Sequence, residues 1–129
     1  MTSKENIRKV LLVEPKKKPR VVEIDDTLEA LQELVGGYIE PIYPFDDEVA
    51  LVCNEEGKIN GLPLNRALYD EDGEMYELIA GNFFIIGAPE DSDRFTSLTQ
   101  EQIEKYTEHF KVIEVYTVTP FGIIAERRI

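Results

Sequence analysis

Histidine, cysteine and tryptophan are almost missing from this chain: His109 and Cys53 stand alone, and there is no tryptophan among 129 residues. A single cysteine excludes an internal disulfide and fits a reduced, cytoplasmic setting. One histidine with one cysteine cannot supply the usual zinc ligands, so no metal is expected. There is no phosphate loop, dinucleotide fingerprint or GxSxG elbow. "VGGYIE" lacks the GxGxxG spacing and precedes a predicted strand rather than a helix. No uninterrupted apolar run approaches the roughly 20 residues that cross a bilayer. "MTSKENIRKVLLVEPKKK" lacks the apolar stretch and small-residue cleavage site of a secretory signal. A non-catalytic protein without cofactor or membrane partner is the expectation. A Cys53–His109 dyad and an acid–base pair such as Glu40 with Glu55 are the catalytic arrangements left open. His109 near the end of a predicted helix is expected to serve as a cation favoured by the dipole there.

Positive charge is scarce too, and unevenly placed. The net charge is −12. Residues 1–20 carry seven Lys/Arg against Glu5 and Glu14, a surplus of five, so the remainder holds a deficit of seventeen. Such a field opposes general binding to DNA or to an anionic membrane, which depends on neutralising phosphates. "PKKKPR", bounded by prolines, reads as a solvated hairpin turn.

What is present is enough for one modest core: 43% hydrophobic and 31% charged residues in a chain near the usual size of one domain. "IRKVLLVEP" (7–15) and "RVVEI" (20–24) predict a first hairpin. "DDTLEALQELVGG" changes period. Asp26 with Glu29 fits a capping pattern, Leu28, Leu31, Leu34 and Val35 share a face, and Gly36 or Gly37 ends the helix. "YIEPIYP" (38–44) and "EVALVCN" (48–54) read as strands, the first at an edge or a bulge because of Pro41. "NEEGKINGLPLN" carries two turn signals. "RALYD" reads as a single helical turn and "EDGEMYELIAGN" as a loop with a short ordered piece. "NFFIIGAP" suits a central strand. "SLTQEQIEKYTEHF" is a second helix, capped by Thr99 with Gln102 and apolar along Ile103, Tyr106 and Phe110. The tail reads as a strand, a bend at Pro120–Gly122 and another strand. The order predicts one α+β domain, a mainly antiparallel sheet with two helices.

The richest stretch for a site is "QELVGGYIEPIYPFDDEVALVCNEEGKINGLPLNRAL". Tyr38 and Glu40 alternate with Ile39, so they share the outward face if Ile39 packs inward. Asn54 and Asn65 offer amides suited to a base edge or a ribose hydroxyl, though asparagine is equally a turn residue. Backbone can approach a ligand closely at Gly36–Gly37. "LVGGYIEPIY", "LVCNEEGKINGLPLNRAL", "IAGNFFIIG" and "SLTQEQIEKY", in that order, resemble an uncharacterised domain family of bacteria, mobile elements and phages. Its pattern runs VGGYIE, NEEG, LPxN and AGxxxxxG. The resemblance covers roughly residues 20–110 and marks Gly36, Gly37, Tyr38, Ile39, Glu40, Asn54, Glu55, Gly57, Leu62, Pro63, Asn65, Gly81 and Gly87. It implies no catalytic residues.

That resemblance implies a phage or mobile-element setting, where small proteins act in the host cytoplasm against host defence. Sequestration of a nucleotide signal ranks first. Glu40 or Glu55 would accept from base or ribose. Backbone N–H groups near Gly36, Gly37 and Gly81, with Arg66 or Arg94, would hold phosphate. A homo-oligomer would enclose the ligand. An acidic protein-interaction module, a charge mimic or inhibitor of a host defence protein, ranks second. The first reading needs these polar groups to converge on one sheltered hollow.

Overall fold

The run Val10–Val13 has no polar position, which suits a strand covered on both faces, and the fold uses it so. A computed structural model describes residues 6–128. In chain order it contains β1 (Ile7–Val13), β2 (Arg20–Asp25), α1 (Leu28–Val35), β3 (Ile39–Ile42), β4 (Val49–Asn54), β5 (Leu64–Tyr69), β6 (Met75–Ala80), β7 (Phe83–Gly87), α2 (Gln100–Phe110), β8 (Ile113–Thr119) and β9 (Gly122–Arg128). Five strands form one antiparallel sheet in the order β2-β1-β7-β4-β3; β5–β6 and β8–β9 are separate two-stranded sheets. The molecule is an α+β domain of mainly antiparallel sheet with two helices.

The period-2 alternation of the strands sorts the core into two layers. Val10, Leu12, Ala50, Val52, Phe84 and Ile86 face α1, where Leu31 and Val35 close the layer. Leu11, Val13, Val49, Leu51, Cys53, Phe83 and Ile85 face Tyr106 and Phe110 of α2 and Leu68 and Ile79 of the β5–β6 hairpin. Strands β4 and β7 are buried along their whole length because both faces are occupied.

Several elements depart from the sequence expectation. "RALY" is strand β5 rather than a helical turn, and the short ordered piece expected within "EDGEMYELIAGN" is strand β6, "MYELIA". Asp70 builds the turn between them by accepting from the amides of Asp72 and Glu74, both at 2.9 Å. The N-cap of α1 is Thr27, whose hydroxyl accepts from the Ala30 amide at 3.2 Å, instead of Asp26. Asp26 pairs with Arg8. Leu28 is exposed, so the apolar face of α1 is narrower than its three leucines and one valine imply. Gly36 ends the helix in the left-handed region, φ 77°. Thr99 and Gln102 form the expected capping box on α2, and Pro41 does lie on the edge strand β3.

Helix α2 is tied to the sheet by a partly buried carboxylate. Asp47 accepts from the Tyr106 hydroxyl at 2.7 Å and lies 3.5 Å from Lys105. Burial pushes the Asp47 pKa up, but the hydrogen bonds from Tyr106, the Glu48 amide and Gln102, with the Lys105 charge, outweigh it and hold the value below the usual 3.8. The unfolded chain therefore protonates first as pH falls below 3.8, and this contribution to stability disappears as the folded carboxyl titrates in turn. Urea midpoints should show Asp47→Asn less stable than the native chain by about 1 kcal/mol above pH 5, and the gap should narrow as the pH falls below 3.8 and close once the folded carboxyl is protonated. A gap that persists unchanged into strong acid would contradict the assignment.

Candidate functional site

The residues singled out from sequence divide among several hollows. Glu40, Asn54 and Glu55 line one of about 270 Å³ between β3–β4 and the β5–β6 hairpin, together with Cys53, Glu56, Lys58 and Glu77. Its floor is apolar, from Ile42, Leu78, Ile79 and Ala80. Gly37, Tyr38 and again Asn54 line an adjoining hollow of about 260 Å³ with Gln32, Glu56 and Asn60. Gly36 and Gly81 meet in a third, open groove beside Lys17, Leu62 and Pro63. Arg94 stands elsewhere, among Asp46, Asp47, Glu90 and Asp93. The polar groups do not converge on a single cavity.

Hydrogen bonding also reassigns several of them. The amide of Asn54 donates to the Val35 carbonyl at 3.2 Å, and its oxygen accepts from the Glu56 backbone at 2.8 Å. It thereby joins the end of α1 to the turn after β4. Asn65 is fully buried in β5. Its amide donates to the carbonyls of Val13 and Gly81, both at 2.9 Å, and its oxygen accepts from Arg66 at 2.9 Å. Arg66, 2% exposed, donates to the carbonyls of Phe110, Lys17 and Asn65. The Gly36 and Gly37 amides donate to Gln32, and the Gly81 amide to Pro63. The donors expected to hold phosphate are thus bonded within the chain, apart from Arg94, which sits in acidic surroundings.

Arg66 belongs to a buried polar junction that sequence reasoning missed. Glu114, 3% exposed, reaches from β8 to accept from the Ala67 amide at 2.9 Å and the Tyr69 hydroxyl at 2.8 Å. Burial lowers the Arg66 pKa while the Glu114 charge opposes that shift. Tyr69 and Tyr116 are both shifted upward, by burial first and then by Glu114. Only a cleft of about 90 Å³ opens beside this junction, too little for more than solvent or a very small ligand.

The two catalytic candidates are placed in different surroundings. The Cys53 thiol donates toward Glu40, at 3.5 Å to its carbonyl and 4.0 Å to its carboxylate. Burial, followed by the charges of Glu40 and Glu77, pushes its pKa up to about 11, so the nucleophilic thiolate is disfavoured. His109 packs its ring against Phe45 and Phe110. Burial and then Lys105 lower its pKa, favouring neutral imidazole over the cation expected at the helix end. Among the described residues no group of three His, Cys, Asp or Glu side chains is placed to hold a metal ion, and no helix is long and apolar enough to cross a membrane.

The 270 Å³ hollow is electrostatically one-sided. Glu40, Glu55, Glu56 and Glu77 border it. The one Lys or Arg lining it is Lys58, whose ammonium lies 2.6 Å from Glu77. That contact, first among the causes, holds the Glu77 pKa below its ordinary value. Such a site accepts hydrogen bonds and positive charge, and repels phosphate. Glu56, Lys58 and Glu77 had no part in the expected site. Strand alternation around "MYELIA" was the available signal for Glu77, which needs β6 to be recognised as a strand first.

The architecture is that of a small α+β domain of mainly antiparallel sheet. The chain belongs to the family described as a domain of unknown function, DUF3846, whose model matches residues 7–111. The signature positions from Gly36 to Gly87 all lie inside that span. No curated protein and no solved structure matches the chain.

Proposed function

We propose that the protein is a non-catalytic, acidic interaction module that receives a basic side chain of a partner protein in the hollow between β3–β4 and β6. One observation carries the reading: a 270 Å³ cavity with an apolar floor is bordered by four glutamates, and its single lysine is already bonded to one of them. An arginine or lysine suits this shape, its methylene stem on Ile42, Ile79 and Ala80 and its charged head at the glutamates. In a phage or mobile-element setting, the partner would be a host defence protein with a basic face. The overall charge of −12 would speed that encounter at low salt.

A second reading, capture of a nucleotide signal, has one observation in its favour. Tyr38 is 68% exposed and shares its hollow with the side-chain amides of Gln32 and Asn60. That set suits a stacked base, with the phosphates left in solvent.

One experiment separates the two. The isotope-labelled chain is titrated with an oligo-arginine peptide, with its citrulline counterpart, and with a panel of cyclic and ADP-ribose-derived nucleotides, followed by NMR. The proposal expects arginine-dependent shifts at Glu40, Glu55, Glu56 and Ile79. It also expects roughly tenfold weaker binding in Glu40→Gln/Glu56→Gln and a steep loss between low and moderate salt. Shifts confined to Gln32, Tyr38 and Asn60 on adding a nucleotide would favour the second reading. Citrulline peptide binding as tightly as arginine peptide would overturn the first.

A further inference from the structure

The glutamate-lined hollow already holds a cation of the chain's own. Lys58 stands in the turn that leads from β4 toward β5, and its ammonium donates to Glu77 of β6 at 2.6 Å. The base of that side chain is fixed. The Gly57 amide donates to Asn54, the Asn60 amide to Glu56 and the Leu62 amide to Gly57. A β carbon at Gly57 would lie 2.7 Å from the Ala80 carbonyl oxygen, so glycine lets the turn lie against β6 and brings Lys58 within reach of Glu77. The head of the side chain is free to move. Lys58 is 58% exposed and Glu77 39%, and an ion pair this open to water is weak. Glu40, Glu55 and Glu56, the other glutamates of the hollow, have no lysine or arginine partner among the described residues.

We propose that Lys58 is a tethered competitor for the hollow, displaced from Glu77 by the incoming side chain, and that this exchange makes the site selective for arginine over lysine. The inference rests on the hollow receiving a basic side chain, as proposed above, and adds which one it takes and what governs entry. An incoming lysine exchanges one ammonium for another at Glu77, so that contact gains nothing. Tethering also gives Lys58 an effective concentration on the order of millimolar, which a partner's lysine at micromolar concentration does not overcome. A guanidinium is a better replacement. Its planar fork bonds a carboxylate bidentately where an ammonium meets it as a point charge. It is also more weakly hydrated, so it loses less on entering a hollow floored by Ile42, Ile79 and Ala80. Lys58, once released, returns to water that already covers much of it.

The test is an NMR titration of the full chain with oligo-arginine and with oligo-lysine of the same length. The native chain should bind oligo-arginine roughly tenfold more tightly. Lys58→Met should tighten both peptides, arginine by roughly threefold and lysine by roughly tenfold, so that the preference narrows. Lys58→Arg keeps a cation that can itself fork onto Glu77, and should bind no better than the native chain. Lys111→Met removes the same charge from a pair of equal length, 2.6 Å to Glu108 at the end of α2, and should alter either affinity by less than about twofold. Circular dichroism checks that each variant is folded. With shifts still centred on Glu40, Glu56 and Ile79, unchanged affinity in Lys58→Met, or an equal gain in Lys111→Met, would overturn the competitor and leave the hollow as a receiving site. An arginine preference undiminished in Lys58→Met would overturn the selectivity argument. No shifts at those three residues with either peptide, in any variant, would overturn the receiving site itself and this inference with it.

Discussion

Replacing Arg66 with alanine is expected to cost about 3–5 kcal/mol, enough to lower the thermal midpoint by roughly 10–20 °C in a domain of this size. The guanidinium is 2% exposed and ties β5 to the β1–β2 turn and to the end of α2. It donates to Lys17 in the β1–β2 turn at 2.8 Å, to Phe110 at the end of α2 at 3.2 and 3.3 Å, and to Asn65 beside it at 2.9 and 3.3 Å. The last carbonyls of a helix lack intrahelical partners and favour a cation, and Arg66 supplies one from another strand. Alanine would leave these oxygens unpaired in the interior and Glu114 without an opposing buried charge. Arg66→Lys should recover only part of the loss, because an ammonium cannot reproduce the planar fork. Replacing both members, as Arg66→Met/Glu114→Gln, should cost less than the sum of the single changes, since neither then leaves a lone buried charge. Chemical denaturation measures these three variants and the two single changes, Arg66→Met and Glu114→Gln. An Arg66→Ala variant within about 1 kcal/mol of the native chain would show that the junction is dispensable.

The same residue shows why the sequence was only partly legible. Elements defined by local periodicity and caps were readable: the first hairpin, both helices, β4 and β7 all follow from patterns within about a dozen residues. Strand β5 was missed, and β6 was expected only as a short ordered piece, because "RALY" is short and mixed, although Asp72–Gly73 between two β-rich runs was a hairpin signal. Arg66 was read as a surface phosphate ligand because its partners, Lys17 and Phe110, lie 49 and 44 positions away. Whether an arginine is buried depends on the carbonyls around it, which composition and spacing do not encode.

The candidate site was legible in the same uneven way. Glu40 and Asn54 do line one hollow, although the register sets Glu40 opposite Cys53 and Asn54, at the end of β4, opposite Ile39. Asn65 and the glycine amides are absorbed by the fold, so several signature positions act through structure. The pairing of Lys58 with Glu77, at 2.6 Å, depends on β6 packing beside the turn after β4. Its effect is to leave an acidic wall around Glu40 and Glu55, which were expected to accept from a base or ribose, and this supports a basic protein surface over a nucleotide as the proposed partner.

Gly87 carries the second large effect. It ends β7, paired with Val49 of β4, while its other edge exchanges two backbone hydrogen bonds of 2.9 Å with Thr96. A β carbon there would lie 2.3 Å from Thr96 Oγ1 and 2.9 Å from the carbonyl oxygens of Thr96 and Ser97. A hydroxyl can rotate away, but the two backbone oxygens cannot move without opening the bridge. Gly87→Ala should therefore destabilise by about 3 kcal/mol, the upper end of the overpacking range. It should also raise amide exchange at Thr96 and in the segment from Ala88 to Phe95 that this bridge holds against the sheet. Thr96→Ala removes only the closest of the three contacts, so the double variant should recover part of the loss and no more. Complete rescue by Thr96→Ala would place the whole conflict at the hydroxyl and disprove the backbone argument. Full retention of stability in Gly87→Ala alone would mean that the Thr96 crossing is looser than its hydrogen bonds require.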